Sequence, residues 1–420
     1  MEALTLFYIY IAAALPLAVV GGLLFARLIL RRRGLISRSL NLALLSVRLP
    51  AVHIEPQQQL GMQQIREQIA LMEQLFANLH QVRDSFIRKF LYGKPVFALE
   101  LTVPHIGEEL AFYLAVPRRL AAAVEKAVQG IFPEASVERS PDYNIFNPQG
   151  QATGASLILA KNLFYPIRSY QKLEGAPMKE LTNVFTKLAG EGEGAAIQIV
   201  ARPAAIKWQR KLKEHAKLLF EGKRPKEGLM KAVETVSETF NPAGPEGAAP
   251  GQTPGAMQQP KRLTPLEEEI VRSLENKASK ALFEVNVRLI ASAATKVRAD
   301  AVLEGLEIAF AQFTDPNANN FYVRRAGGRS LKSLIFDFSF RTFSERETMI
   351  LGAEELTSIF HFPNVPTETS IVKTLKAREA APPANLPVEG LILGYNVFRG
   401  EKREIRMLDE DRRRHLYMIG

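Results

Sequence analysis

The sequence predicts an α+β protein, and three observations carry that prediction. Residues 3–26 form one uncharged apolar run, strand-like and helix-like segments alternate from residue 40 onward, and a Pro/Gly-rich stretch at 241–260 divides that alternation in two. The expected architecture is one N-terminal transmembrane helix, a ferredoxin-like α/β domain, and a second, degenerate α/β sandwich domain. Composition agrees. Apolar content of 47% and charged content of 23% are those of a globular chain, and a length of 420 residues allows about two to three domains.

The first element is the apolar run. From Ala3 to Ala26 no side chain is charged; as a helix this stretch would measure roughly 36 Å, enough to cross a hydrocarbon core of about 30 Å. Arg27, Arg31, Arg32 and Arg33 follow at once, while Glu2 is the only charge before it. By the positive-inside rule the N-terminus faces out and the rest is cytoplasmic, giving a single-pass protein of the inner membrane with an anchor at 1–33. A cleaved signal peptide is the competing reading, but its basic cluster would lie on the other side of the apolar run.

Residues 34–94 read as a juxtamembrane strand and helix. LNLALLSVRLP (40–50) is strand-like, and the spacing of Ile65, Ile69, Met72, Leu75, Phe76 and Leu79 is helical. The next region, 95–205, holds the ferredoxin-like domain. FALELTVP and LAFYLAVP read as strands, residues 118–132 as a helix, ASVERS and 156–166 as strands, 178–190 as a helix and 194–203 as a strand. From residue 110 the order is β-α-β-β-α-β, the split βαβ arrangement.

A basic helical segment follows at 206–240. Its residues 207–231 carry nine Lys or Arg against three Glu, and they include Trp208, the only tryptophan. Lys207, Arg210, Lys211 and Arg224 are the candidates for contact with DNA phosphates, against the plainer reading of a solvated helix. The linker, 241–263, has five prolines and four glycines between 241 and 260, too little apolar surface to order itself. The second domain, 264–380, opens on Thr264-Pro265-Leu266-Glu267, a capping box with proline at the first helical position. Strand 283–292, helix 297–313, a helix across 330–340 and helix 352–363 continue it.

The chain lacks cysteine, which excludes disulfides and thiolate metal sites, and its six histidines are scattered with none at i+3 or i+4 from another. No GxSxG, HExxH or EF-hand loop occurs, and GEGEG (190–194) follows a helix and lacks the Lys-Ser/Thr pair of a phosphate loop. No catalytic residue and no metal or cofactor site is therefore expected. The net charge of +10 favours an acidic partner, nucleic acid or an anionic leaflet.

The final region, 381–420, has two short strands around Arg399-Gly400-Glu401-Lys402 and then DRRRHLYMIG (411–420). An apolar strand opening onto glycine is how a phosphate loop begins. With ELAFYLAVPRR, DYNIFNPQG, EGAAIQIVARP, EELTSIFHFP and KAREAAPPANLPVEGLILGYNVFRGE, the chain resembles the membrane-anchored region that precedes a type IV secretion or conjugation ATPase of the TraD/HerA/FtsK-like kind in small-genome uncultivated bacteria. That resemblance implies that 381–420 begins a RecA-like ATPase domain, with Gly420 the first residue of an incomplete Walker A loop. It also implies ATP and magnesium for the intact protein, a homo-oligomer (a hexamer), secretion-channel proteins and DNA as partners, and a role in anchoring and assembling the motor. The alternative is a stand-alone membrane-anchored scaffold without catalytic activity.

Overall fold

The computed structural model describes residues 21, 22, 25, 38–50, 61–81, 94–105, 109–188, 192–221, 263–363, 372, 382–383, 385–398 and 401–413. Two runs of the same element order lie within them. The first is β1 (Leu42–Arg48), α1 (Met62–His80), β2 (Phe97–Val103), β3 (Ala111–Pro117), α2 (Ala121–Ile131) and β4 (Ser136–Ser140). The second is β5 (Gln151–Leu159), α3 (Pro177–Phe185), β6 (Gly194–Pro203), β7 (Leu282–Ala293), α6 (Lys296–Ala309) and β8 (Phe321–Arg325). Between β6 and β7 the second run carries an inserted helical pair, α4 (Ile206–Phe220) and α5 (Pro265–Ser279). After β8 come α7 (Arg329–Ser339), β9 (Met349–Gly352), α8 (Ala353–Ile359), β10 (Leu391–Phe398) and β11 (Glu401–Met407).

Both runs build one open sheet, ordered β4-β1-β3-β2-β6-β7-β5-β8, with β9 added to the start of β7. Every ladder in it is antiparallel. Within each run the spatial order is fourth, first, third, second strand. The two second strands, β2 and β6, pair with each other from Phe97↔Ala201 to Val103↔Ala195, and so join the halves around a local two-fold at Glu100↔Gln198.

This arrangement corrects the expected fold class. A ferredoxin-like domain over 95–205 would take the second half of one βαββαβ run and the first half of the next. The second sandwich expected at 264–380 is not separate either, because β7 pairs with β6 along Gly194↔Ser292 to Pro203↔Phe283. The result is a mixed α/β fold on an open, non-barrel sheet. Among the described residues of 381–420 no RecA-like segment stands. β10 and β11 form an antiparallel two-stranded sheet of their own, whereas a nucleotide-binding α/β core needs parallel strands linked by helical crossovers.

Among the described residues no helix is long and apolar enough to cross a membrane. The run at 3–26 and the arginines Arg27, Arg31, Arg32 and Arg33 lie outside the described residues, apart from Gly21, Gly22 and Phe25. The expected single-pass, inner-membrane placement thus has no membrane-crossing helix behind it among the described residues. The linker over 241–262 and Gly420 also fall outside them.

Strand alternation sends one set of side chains to a helix-covered face. Leu99, Leu101, Phe112, Leu114, Ile197, Ile199, Val287 and Leu289 meet there with α1, α2, α3, α6 and α8 in one continuous core. Helix α1 supplies Met72, Leu75, Phe76 and Leu79, an i, i+3, i+4, i+7 stripe. Phe283 of β7 stands at its centre, edge-on to Phe76 at 6.0 Å and to Phe97 at 5.9 Å. The opposite face is covered by α7 with the loops beside it and, at the start of β7 and on β9, by α4 and α5. Helix α7 comes close because Gly154 of β5 has no side chain: a Cβ there would sit 2.9 Å from Leu334 Cδ2.

Two measurements test this core. Phe283→Ala should lower stability by about 3–5 kcal/mol in urea denaturation, the cost of an aromatic cavity at an unexposed site. His361, buried after α8 with Nδ1 against the Thr357 carbonyl, is pushed down to about 4 by burial. An unfolded histidine titrates near 6.5, so below that pH the unfolded chain binds more protons than the folded one. The stabilising contribution is complete above pH 6.5 and is lost as the pH falls toward 4, by about 3 kcal/mol. A His361→Gln chain should lack that part of the pH dependence when unfolding is followed across the window.

Candidate functional site

The face under α7 holds a polar row that runs across eight strands. Register places Glu138, Ser46, Tyr113, Glu100, Gln198, Arg288, Ser156 and Arg324 side by side. Its centre is closed. Gln198 Nε2 donates to Glu100 Oε1 at 2.8 Å and to the Phe338 carbonyl at 2.9 Å, while Gln198 Oε1 accepts from Arg288 Nη1 at 2.9 Å. Arg288, fully buried, also donates to the carbonyls of Asp337 at 3.1 Å and Thr342 at 2.6 Å. The carbonyls of Asp337 and Phe338 belong to the negative end of α7, where a cation is favoured. Burial lowers the Arg288 guanidinium, and Asp337, Glu347 and Glu100 oppose that.

Glu100 is saturated. Besides Gln198 it accepts from Arg341 Nε at 2.8 Å, Arg341 Nη2 at 3.0 Å and the Tyr143 hydroxyl at 3.0 Å. Arg341 reaches it from a left-handed turn at φ 50° and also pairs with Asp142 at 2.8 Å. Burial lowers Arg341, but Glu100 and Asp142 outweigh it and hold the group above its ordinary range. Tyr143 is pushed well up, first by burial and then by Glu100. This network locks α7 onto the sheet and leaves no lone pair for a ligand.

A cleft of about 640 Å³ lies elsewhere, between α5, the segment 166–172 and the turn from β9 into α8. A second cavity of about 730 Å³ adjoins it and shares Lys172 and Asp315. At its floor Lys277 and Glu355 form a buried ion pair at 3.1 Å. Glu355 Oε1 also accepts the Ile167 N–H at 3.0 Å, and Oε2 the Gly352 N–H at 2.7 Å. Burial lowers Lys277 and raises Glu355, each opposed by the other's charge. Higher on the wall, Lys172 bridges Glu269 at 3.1 Å and Asp315 at 3.4 Å. Ser169 donates to Glu354 at 2.5 Å, which also accepts from Asn276 at 3.1 Å.

Chemically the cleft is balanced. Ser169 has a carboxylate but no imidazole base beside it among the lining residues, so the nucleophile–base pair of acyl transfer is not assembled. Among the described residues no group of three or more His, Asp or Glu could hold a metal ion.

The residues singled out from sequence lie apart from this cleft. Lys207, Arg210 and Lys211 are exposed on α4, with the ammonium groups of Lys207 and Lys211 at 5.6 and 5.5 Å from the Trp208 ring centre. Arg224 lies outside the described residues, as do Gly420 and Arg27, Arg31, Arg32 and Arg33. Trp208 itself turns inward: its indole N–H donates to Glu284 at 3.1 Å, beside Arg202 at 2.6 Å and Lys94 at 2.5 Å. Burial raises Glu284, but these partners hold it below its ordinary value. The polar row and the cleft pair escaped sequence reading. The row had a visible sign, one or two polar residues amid apolar ones in FALELTV, AAIQIVA and VNVRLIA. The pair had none.

Residues 50–374 match the family model described as Domain of unknown function (DUF8128). The chain belongs to that family. No curated protein matches the chain. The DUF8128 match takes in every element from α1 to α8, and with them the polar row beyond β1 and the whole cleft.

This finding corrects the expected function. In place of the assembly region of a secretion or conjugation motor, the comparisons show an uncharacterised α/β domain, and neither a membrane anchor nor a RecA-like segment stands among the described residues. The membrane, the hexamer, the secretion channel and DNA as partners, with ATP and magnesium, belonged to that motor, and nothing among the described residues supports them.

The Lys277–Glu355 pair makes a direct prediction for the DUF8128 domain. Lys277→Met alone strands a buried carboxylate and should cost about 3–5 kcal/mol in chemical denaturation. Lys277→Met combined with Glu355→Gln should recover part of that loss, since the stranded charge is gone while the amide oxygen accepts only one of the two backbone N–H groups that Glu355 holds.

Proposed function

We propose that the chain acts as a non-catalytic scaffold domain. One observation carries this reading: each of the five buried carboxylates among the described residues is ion-paired to a cation far away in the chain. Glu100 meets Arg341, Glu193 meets Arg298, Glu284 meets Arg202, Asp315 meets Lys172 and Glu355 meets Lys277. The separations run from 78 to 241 residues. Catalytic acids and bases need a free lone pair or proton facing the substrate. These groups face other segments of the fold, as structural ion-pair networks do, and perturbed titration alone does not make them functional.

The test is replacement of the gene in its own host. A chain carrying Lys172→Met, Lys277→Met and Glu355→Gln, shown to fold by circular dichroism, is expected to support growth and complex formation like the unaltered chain. If that folded variant behaves like a deletion, the cleft does chemistry and the scaffold reading is wrong.

A further inference from the structure

Helix α4 presents a surface that no other described element covers. At about 100° per residue, Ile206, Arg210, Lys213, Lys217 and Phe220 fall within an arc of about 80°. The opposite side, Leu212, His215 and Ala216, is buried, with Leu212 and Ala216 against α5, the start of β7 and β9. The outward stripe is basic along its length and apolar at both ends, with Ile206 67% and Phe220 63% exposed. Its ends are about 21 Å apart at 1.5 Å per residue. Five Lys or Arg and one Glu give α4 a net charge of +4 over 206–220. Exposed helices of soluble domains offset such charge with i, i+4 acidic partners. Among the described residues Lys217 pairs with Glu221 at 3.8 Å, while Arg210, with Glu214 four residues on, and Lys213 make no ion pair.

The helix is also held rigidly. Trp208 is anchored to Glu284 at 3.1 Å and Gln209 Nε2 donates to the Ala278 carbonyl at 2.9 Å, so a ligand would meet a preformed stripe and pay little to order it.

We propose that this stripe docks an acidic, helix-forming segment of a partner protein. The segment would carry carboxylates between two apolar anchors spaced to reach Ile206 and Phe220, in a helix-to-surface mode. Charge complementarity fixes the sign of the partner. The two apolar ends favour a protein over a polyphosphate, because an isoleucine side chain adds nothing to a phosphate contact and a desolvated apolar anchor is what concentrates binding energy in protein interfaces. The inference rests on the scaffold reading and gives it a surface.

The probe is a fluorescent peptide of about 18 residues with four Glu between leucines at its ends, titrated against the full-length chain, beside a Ser-ended version and a DNA duplex of similar charge. The leucine peptide should bind, and Arg210→Glu with Lys213→Glu should weaken it by about tenfold or more and flatten its salt dependence. Ile206→Ser with Phe220→Ser should weaken the leucine peptide by about tenfold, leave the Ser-ended peptide unchanged and keep the salt dependence. Duplex DNA binding more tightly than the peptide, with the apolar pair silent, overturns the proposal in favour of a general polyanion surface. Binding indifferent to both pairs overturns it in favour of a solvated helix. Either failure leaves the cleft replacement in the host untouched, so loss of the docking surface and loss of the scaffold reading are read separately.

Discussion

Arg288 sits fully buried in the middle of a sheet with no carboxylate bonded to it, and the arrangement around it follows from that burial. A guanidinium taken out of water costs several kcal/mol unless its donors are met. Here Gln198 and two backbone carbonyls meet the two terminal nitrogens, while Nε is buried without a partner. One of those carbonyls belongs to the last turn of α7, so its negative dipole end faces the charge. That requirement places α7 over β5 and β7, and Gly154 supplies the room. The chain then reverses at Arg341, whose left-handed turn brings a second guanidinium back onto Glu100. Two positive and two negative groups, Asp142 included, thereby close over the joint between the halves. Buried ion pairs are weak evidence for stability as such. Their effect is selective: only one docking of α7 leaves no charge stranded.

The joint itself is the β2–β6 ladder. Each βαββαβ run ends its own sheet at its second strand, and an unpaired, apolar strand edge invites aggregation. Pairing the two edges removes both. The outer edges that remain, β4 and β8, are five residues each, short and charged, a usual defence of an open sheet. Equivalent positions across the local two-fold show how far the halves have diverged. Ser46 matches Ser156 in the row, whereas Tyr113 stands where the other half has Arg288. The asymmetry is what lets a single covering helix choose one side of the molecule.

The inserted pair α4–α5 is tied on by the same means as α7. Glu284 takes Trp208 from α4 together with Arg202 and Lys94, and Glu355 takes Lys277 from α5. The cleft is thus a seam between insertion and body, closed at its floor by a charge pair. Among the described residues the outward side of α4 carries positive charge in excess, with Arg210 and Lys213 unmatched, and there a partner has something to gain.

Local elements were legible in the sequence because their determinants are local. The Thr264 capping box forms as expected, with the Glu267 N–H to Thr264 Oγ1 at 3.3 Å and the Thr264 N–H to Glu267 Oε2 at 2.8 Å. The helix over 329–339 was readable from Leu331, Leu334, Ile335 and Phe338, and the exposure of Lys207, Arg210 and Lys211 from their density of charge. The grouping of strands was not. β6 and β7 read as belonging to two domains because a long insertion separates them, yet they lie side by side. Strand pairing depends on contacts between distant residues, and periodicity along one strand carries no label of its neighbour. The polar row became meaningful only when eight registers were set together. The sequence by itself determined which residues are helical, extended or charged; the tertiary structure decided which buried charges meet, because a buried charge is tolerated only where the rest of the chain brings its partner.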